Sequence, residues 1–292
     1  MTRARMLWRI ARGTIVGFLR HEGPIMAGHM AFLGLLSLFP FFIFLMALAG
    51  LVGGTELGRQ AIEQMLAAAP AEVSRIIAKP LKEVLDGAGK GILTFGILVV
   101  IWTAANGIEA ARTAIRRAYW RRPIRAAWSR RLESLALVFV AATLILIGMA
   151  VQVLGPVGWR LLNDFVPMPS FLEMFWQWLR FFFSPLVMFA ALYGTYFALS
   201  PRRIAPQFRL PGAVLALCVW IATANGLSLY LEYFGRYDIT YGSLGGVMIV
   251  LIFLYLIGMG FILGAELNAA CVRHALMMKR QRRRQMEEGS KA

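Results

Sequence analysis

Six stretches of this chain are each long and apolar enough to cross a lipid bilayer, and this limits its fold more than any other feature. A helix needs about 20 mostly apolar residues to span the hydrocarbon core. The stretches cover about residues 24–52, 91–111, 132–154, 178–199, 211–234 and 244–267 of 292. Lipid offers no partner to a backbone N–H, so each is predicted to be a helix. Composition agrees: 16% of the residues are charged, against about 25% in soluble domains. An ordinary soluble fold and a disordered chain are both excluded. The expected fold class is all-α, a polytopic integral membrane protein with six transmembrane helices.

Basic residues set the orientation. Residues 1–28, 112–131, 200–210 and the segment after 267 hold 23 Lys and Arg, and the intervening segments hold eight. Because Lys and Arg collect on the cytoplasmic side, both termini are predicted to be cytoplasmic. The net charge of +16 is thereby read first as topology. Residues 3–20 set Leu7, Ile10, Ile15 and Phe18 between arginines, the pattern of an amphipathic helix on the inner leaflet. No cleavable signal peptide is expected, since the first apolar block is too long for one. Residues 55–87 carry two runs of apolar residues at helical spacing broken by Pro70, which predicts an outer helical hairpin. The membrane domain is then 1–272, with a basic cytoplasmic tail over 273–292.

Several short motifs sit within this frame. They are Ser37-Leu-Phe-Pro40, Ile101-Trp-Thr-Ala-Ala-Asn-Gly-Ile-Glu-Ala110, Arg117-Ala-Tyr-Trp120 with Arg130-Arg-Leu-Glu-Ser134, Thr240-Tyr-Gly-Ser-Leu-Gly-Gly246, and Gly264-Ala-Glu-Leu-Asn-Ala269. In order and spacing over about residues 25–272 they resemble the YihY/BrkB family of bacterial inner-membrane proteins. The departure lies before Ser37, where the family usually has tyrosine and this chain has Ala31-Phe-Leu-Gly34. The resemblance implies six membrane helices in the bacterial inner membrane and a role proposed variously as virulence, serum resistance or transport. The family has also been labelled as a tRNA-processing ribonuclease.

The residues argue against that last label. Metal-dependent RNA hydrolysis needs clustered His and carboxylate ligands. His21, His29 and His274 are scattered and form no ligand motif, and Cys218 and Cys271 make no Cys-rich site. No metal, cofactor or enzymatic activity is expected. The basic run Lys279-Arg-Gln-Arg-Arg-Arg284 is read as a positive-inside tail rather than a specific nucleic-acid site.

Ionisable and amide groups inside spans are costly and mark function or a specific pair. Asn106, Glu109, Asn225 and Glu266 are the candidates for lining an internal path. Glu109 has Arg112 and Arg116 within one helical turn, whereas Glu266 has no cation at i+3 or i+4 and needs a partner from another helix. Thr103-Ala-Ala-Asn106-Gly107 and Thr223-Ala-Asn225-Gly226 recur about fifteen residues into oppositely directed spans. That is compatible with a 3+3 inverted repeat of the transporter kind. The arginines at 112, 116, 117, 121, 122, 125, 130 and 131, namely Arg112, Arg116, Arg117, Arg121, Arg122, Arg125, Arg130 and Arg131, are candidates for binding anionic headgroups. The leading expectation is a transporter or lipid-handling protein whose partners are anionic lipids. The alternative is a scaffold that binds an outer-face partner through 55–87, and either could form a homo-oligomer.

Overall fold

The computed structural model describes residues 3–53, 90–119, 128–141, 170–201, 204–234 and 238–289, with isolated positions between 143 and 159. Among these residues the regular structure is helical throughout. The elements are α1 (Arg3–Arg20), α2 (Gly23–Gly53), α3 (Lys90–Ala118), α4 (128–141), α5 (Ser170–Leu199), a 3-10 turn (Pro206–Arg209), α6 (Leu210–Phe234) and α7 (Asp238–Gly289). The predicted hairpin 55–87, Arg121, Arg122 and Arg125 lie outside the described residues, as does the part of the span 132–154 past residue 141 but for isolated positions.

Among the described residues, three helical stretches are long and apolar enough to cross a membrane: Met174–Leu199, Pro206–Glu232 and Gly245–Glu288. Within α2, the stretch Gly23–Leu38 is apolar as well. Two helices run further than their apolar composition indicates. Past Ala111, α3 continues to Ala118, so Arg112, Arg116 and Arg117 ride on a helix rather than in a loop. Ala and Arg are strong helix formers and nothing there breaks the pattern. Likewise α7 is one helix of 52 residues that carries the expected tail as far as Gly289. At 1.5 Å per residue it is about 78 Å long, well over twice the hydrocarbon thickness of about 30 Å.

The chain divides into two compact units, one of residues 1–31 and 108–292 and one of 32–107. In the smaller unit, Thr103 Oγ1 donates to the Val99 carbonyl at 2.9 Å and Ser37 Oγ to the Gly34 carbonyl at 2.7 Å. Both hydroxyls are thus satisfied within their own helices, as polar side chains on apolar helices must be.

In the larger unit α6 packs along α7, α1 lies against α7, and α5 lies against α6. The core is unusually rich in alanine, including Ala27, Ala114, Ala118, Ala213, Ala216, Ala265 and Ala269. Small residues let apolar helices approach closely, which is how helices associate without a hydrophobic driving force between them. The closest crossing is at Gly212 and Gly264. A Cβ on Gly212 would collide with the Gly264 carbonyl oxygen and lie 2.5 Å from Asn268 Nδ2. One on Gly264 would collide with the Gly212 carbonyl and the Tyr196 hydroxyl. Two buried hydrogen bonds seal the contact: Gly212 N–H donates to Asn268 Oδ1 and Tyr196 O–H to the Phe261 carbonyl, each at 2.7 Å. Gly212 lies in the first turn of α6, where backbone N–H groups lack intrahelical acceptors, so Asn268 supplies one from α7.

The turn from α1 to α2 depends on Glu22, a non-glycine residue in the left-handed region at φ 59°. Such a conformation persists where surrounding contacts hold it. Here the Phe18 ring packs on Gly23, where a Cβ could not fit, and the Glu22 carboxylate pairs with Arg117 of α3.

Candidate functional site

Buried ion pairs gather at the basic end of the larger unit, where α1, the C-terminal part of α3, the start of α4 and the middle of α7 supply them. Along α1, Ile10, Gly13, Thr14, Gly17 and Phe18 turn toward the protein at helical spacing, with Thr14, Gly17 and Phe18 buried. Gly17 is where α1 needs no side chain, because a Cβ there would run into Glu266 Oε2. Glu266 on α7 is 1% exposed. Its Oε1 lies 2.5 Å from His21 Nδ1, and Arg273 approaches Oε2 at 3.7 Å. The other arm of Arg273 donates to the Ala118 carbonyl at 3.0 Å. A carboxylate at this depth is tolerated only when paired, and the pairing ties α7 to α1 and to the end of α3.

A second network joins α3 to α4. Arg112 is 4% exposed. It donates to Glu133 Oε2 at 2.6 Å and to Ser134 Oγ at 3.0 Å, and its Nε stands 3.4 Å from Glu109 Oε1. Ser134 in turn donates to Glu109 Oε1 at 2.7 Å. A planar guanidinium with five donors suits such convergence, which an ammonium could not reproduce. Arg116 is more open; burial and then its neighbours Arg130 and Arg112 lower its pKa, yet it remains a cation at neutral pH.

The candidates from sequence therefore separate. Glu109 and Arg112 meet each other, with Glu133 and Ser134 as partners that spacing alone did not indicate. Glu266 meets His21, a residue 245 positions away. Asn225 joins neither group: its side chain is exposed, and Nδ2 donates to the Ile221 carbonyl of its own helix at 3.0 Å. Asn106 belongs to the smaller unit. Of the arginines proposed for headgroups, Arg112 is enclosed, Arg116, Arg130 and Arg131 are half-buried, and Arg117 is exposed beside Glu22. No group of three or more metal-ligating side chains exists among the described residues.

One surface was legible only in outline. With its inner stripe against α7, α1 leaves Trp8, Ile15 and Leu19 exposed on the far side, next to Arg5, Arg9 and Arg12. Arg12 sits over the Trp8 ring at 5.4 Å, a cation–π contact. An apolar ridge flanked by arginines on a helix already anchored through its opposite face is suited to lie in a lipid–water interface.

A family model described as virulence factor BrkB matches residues 14–289. YfkH of Bacillus subtilis, a relative named as a ribonuclease-like protein, is 34% identical over 250 residues, covering 85% of this chain and 90% of its own. A UPF0761 membrane protein of Photobacterium profundum is 28% identical over 259 residues, covering 84% of this chain and 75% of its own. One from Aliivibrio fischeri is 25% identical over 259 residues, covering 84% and 77%. No solved structure matches the chain.

Proposed function

The chain belongs to the BrkB family of membrane proteins, and on that premise we propose that it handles anionic lipids at the cytoplasmic leaflet of the bacterial inner membrane. In this reading six helices span the bilayer with both termini inside, and the protein is not an enzyme. The observation that carries it is the free face of α1, where Trp8, Ile15 and Leu19 are exposed beside Arg5, Arg9 and Arg12. Aromatic and aliphatic side chains settle at the acyl boundary while arginines meet headgroup phosphates, at about 1 kcal/mol per charge near the surface. Arg116, Arg117, Arg130 and Arg131 extend the same basic end. Glu109, Arg112 and Glu266 serve in this account as pairs that hold the helices bearing those cations, rather than as the walls of a path.

The test is lipid movement in vesicles. Protein is reconstituted with fluorescent phosphatidylglycerol or phosphatidylcholine, and the fraction reached by an impermeant quencher is followed. Faster movement of phosphatidylglycerol, lost when Arg5, Arg9 and Arg12 are glutamine, supports the reading. Equal rates for protein-containing and empty vesicles overturn it.

A further inference from the structure

Arg209 ends the 3-10 turn before α6 and is 2% exposed. Its charge is compensated incompletely. One nitrogen donates to the Pro201 carbonyl at 3.2 Å, and the guanidinium lies 4.6 Å from the Phe197 ring centre. Nε has no hydrogen-bond partner, and no carboxylate pairs with Arg209 among the described residues. A buried cation without a counter-charge is among the most costly arrangements a protein can hold. The C-terminal end of α5, with its partial negative charge, offsets only part of that cost.

The surroundings supply what an anion would need. The Tyr119 and Ser200 hydroxyls are neighbours of each other and of Arg209, and apart from that mutual contact neither has a hydrogen-bond partner among the described residues. Ser200 is 5% exposed. Beside them is a pocket of about 650 Å³ whose lining includes Tyr119, Pro201, Phe208, Val272, Arg273 and Leu276. That volume falls within the range of small-ligand sites, about 300–1,000 Å³. The second cation, Arg273, is already shared with Glu266, so the cluster keeps an excess of one positive charge. Two hydroxyl donors, a guanidinium with a vacant N–H and an apolar wall form a set that would recognise a phosphate attached to a nonpolar or small organic group.

We infer that Tyr119, Ser200, Arg209 and Arg273 form a binding site for a phosphate ester anion, distinct from the arginines of α1 and of residues 112–131. The ester is a phospholipid headgroup or a free phosphate metabolite. The headgroup case rests on the lipid-handling reading above; the phosphate chemistry does not.

Calorimetry on the full-length protein in a neutral detergent tests it, with inorganic phosphate, glycerol 3-phosphate and short-chain phosphatidylglycerol as the three titrants. At least one should bind to the wild type. Arg209→Gln should weaken that affinity about tenfold or more, and Ser200→Ala and Tyr119→Phe about threefold each. Arg12→Gln should leave glycerol 3-phosphate binding unchanged. If Arg209→Gln does not fold, the two hydroxyl variants decide. Phosphatidylglycerol held equally by wild type and all three variants would overturn the site while leaving lipid handling intact, and Arg209 would be only a cap on α5. Binding of either soluble phosphate with rejection of the lipid would uphold the site and overturn the lipid reading. No binding of any titrant at millimolar concentration would overturn the proposal.

Discussion

Replacing Gly264 with alanine should separate α6 from α7 at the crossing on which the larger unit is built. The added Cβ would collide with the Gly212 carbonyl and the Tyr196 hydroxyl, and the first of these is backbone that cannot swing aside. Ordinary van der Waals contact begins at 3.4 Å, so the helices must part by about 1 Å in an interior packed like a crystal. That movement breaks or stretches two buried hydrogen bonds, Gly212 to Asn268 and Tyr196 to Phe261. Each is worth about 0.6–1.5 kcal/mol, and overpacking adds about 1–3 kcal/mol. The expected loss is about 2–6 kcal/mol, a large share of a typical total of about 5–15 kcal/mol. At about 2–4 °C per kcal/mol, the melting point in detergent should fall by about 5 °C or more, read by tryptophan fluorescence. Gly226→Ala is the control: its Cβ meets nothing within 4 Å, and alanine is the better helix former by about 1 kcal/mol. A Gly264→Ala protein that melts with the wild type would refute the packing argument.

Glu266→Gln should loosen α1 from α7, because His21 and Arg273 lose their charged partner, at about 1.5–3 kcal/mol. Trypsin should then cut within Arg3–Arg20 about tenfold faster, and an unchanged rate would contradict the docking role. Arg112→Lys should cost about 2–4 kcal/mol, since lysine cannot serve Glu133, Ser134 and Glu109 together; a loss under about 0.5 kcal/mol in thermal unfolding would count against the network. Burial raises the Tyr119 pKa to about 12, above the unfolded value of about 10, so folding favours its neutral form. That contribution is complete below about pH 10 and is lost as pH rises toward about 12. The stability gap between wild type and Tyr119→Phe should therefore narrow on the alkaline side, and a constant gap would contradict it. The purified protein should leave tRNA intact with or without Mg²⁺. Fragments that vanish when Glu109 and Glu133 are neutralised would instead establish a nuclease.

Among the described residues, helices lie on the apolar stretches that length singles out. The span predicted at 211–234 is α6 (Leu210–Phe234), and that at 24–52 is α2 (Gly23–Gly53). The overshoots of α3 and α7 come from basic residues that are poor in hydropathy but good in helix propensity. The pairing of Glu109 with Arg112 was legible because both lie on one turn. The partner of Glu266 was not, since His21 sits in the turn after α1 and nothing in local spacing connects them. The closing motif becomes readable only in three dimensions. Gly264 permits the crossing, Glu266 holds α1, and Asn268 supplies the first turn of α6 with an acceptor. Arg209 counted in sequence as one more positive-inside charge, and only its burial sets it apart.

The most direct measurement is native mass spectrometry of the protein extracted gently from its own membrane. A defined anionic phospholipid should be retained in excess of its share of the surrounding membrane. This lipid should be lost when Arg5, Arg9 and Arg12 are replaced by glutamine. A set of adducts that merely follows the composition of the membrane, unchanged in that variant, would contradict a lipid-handling role.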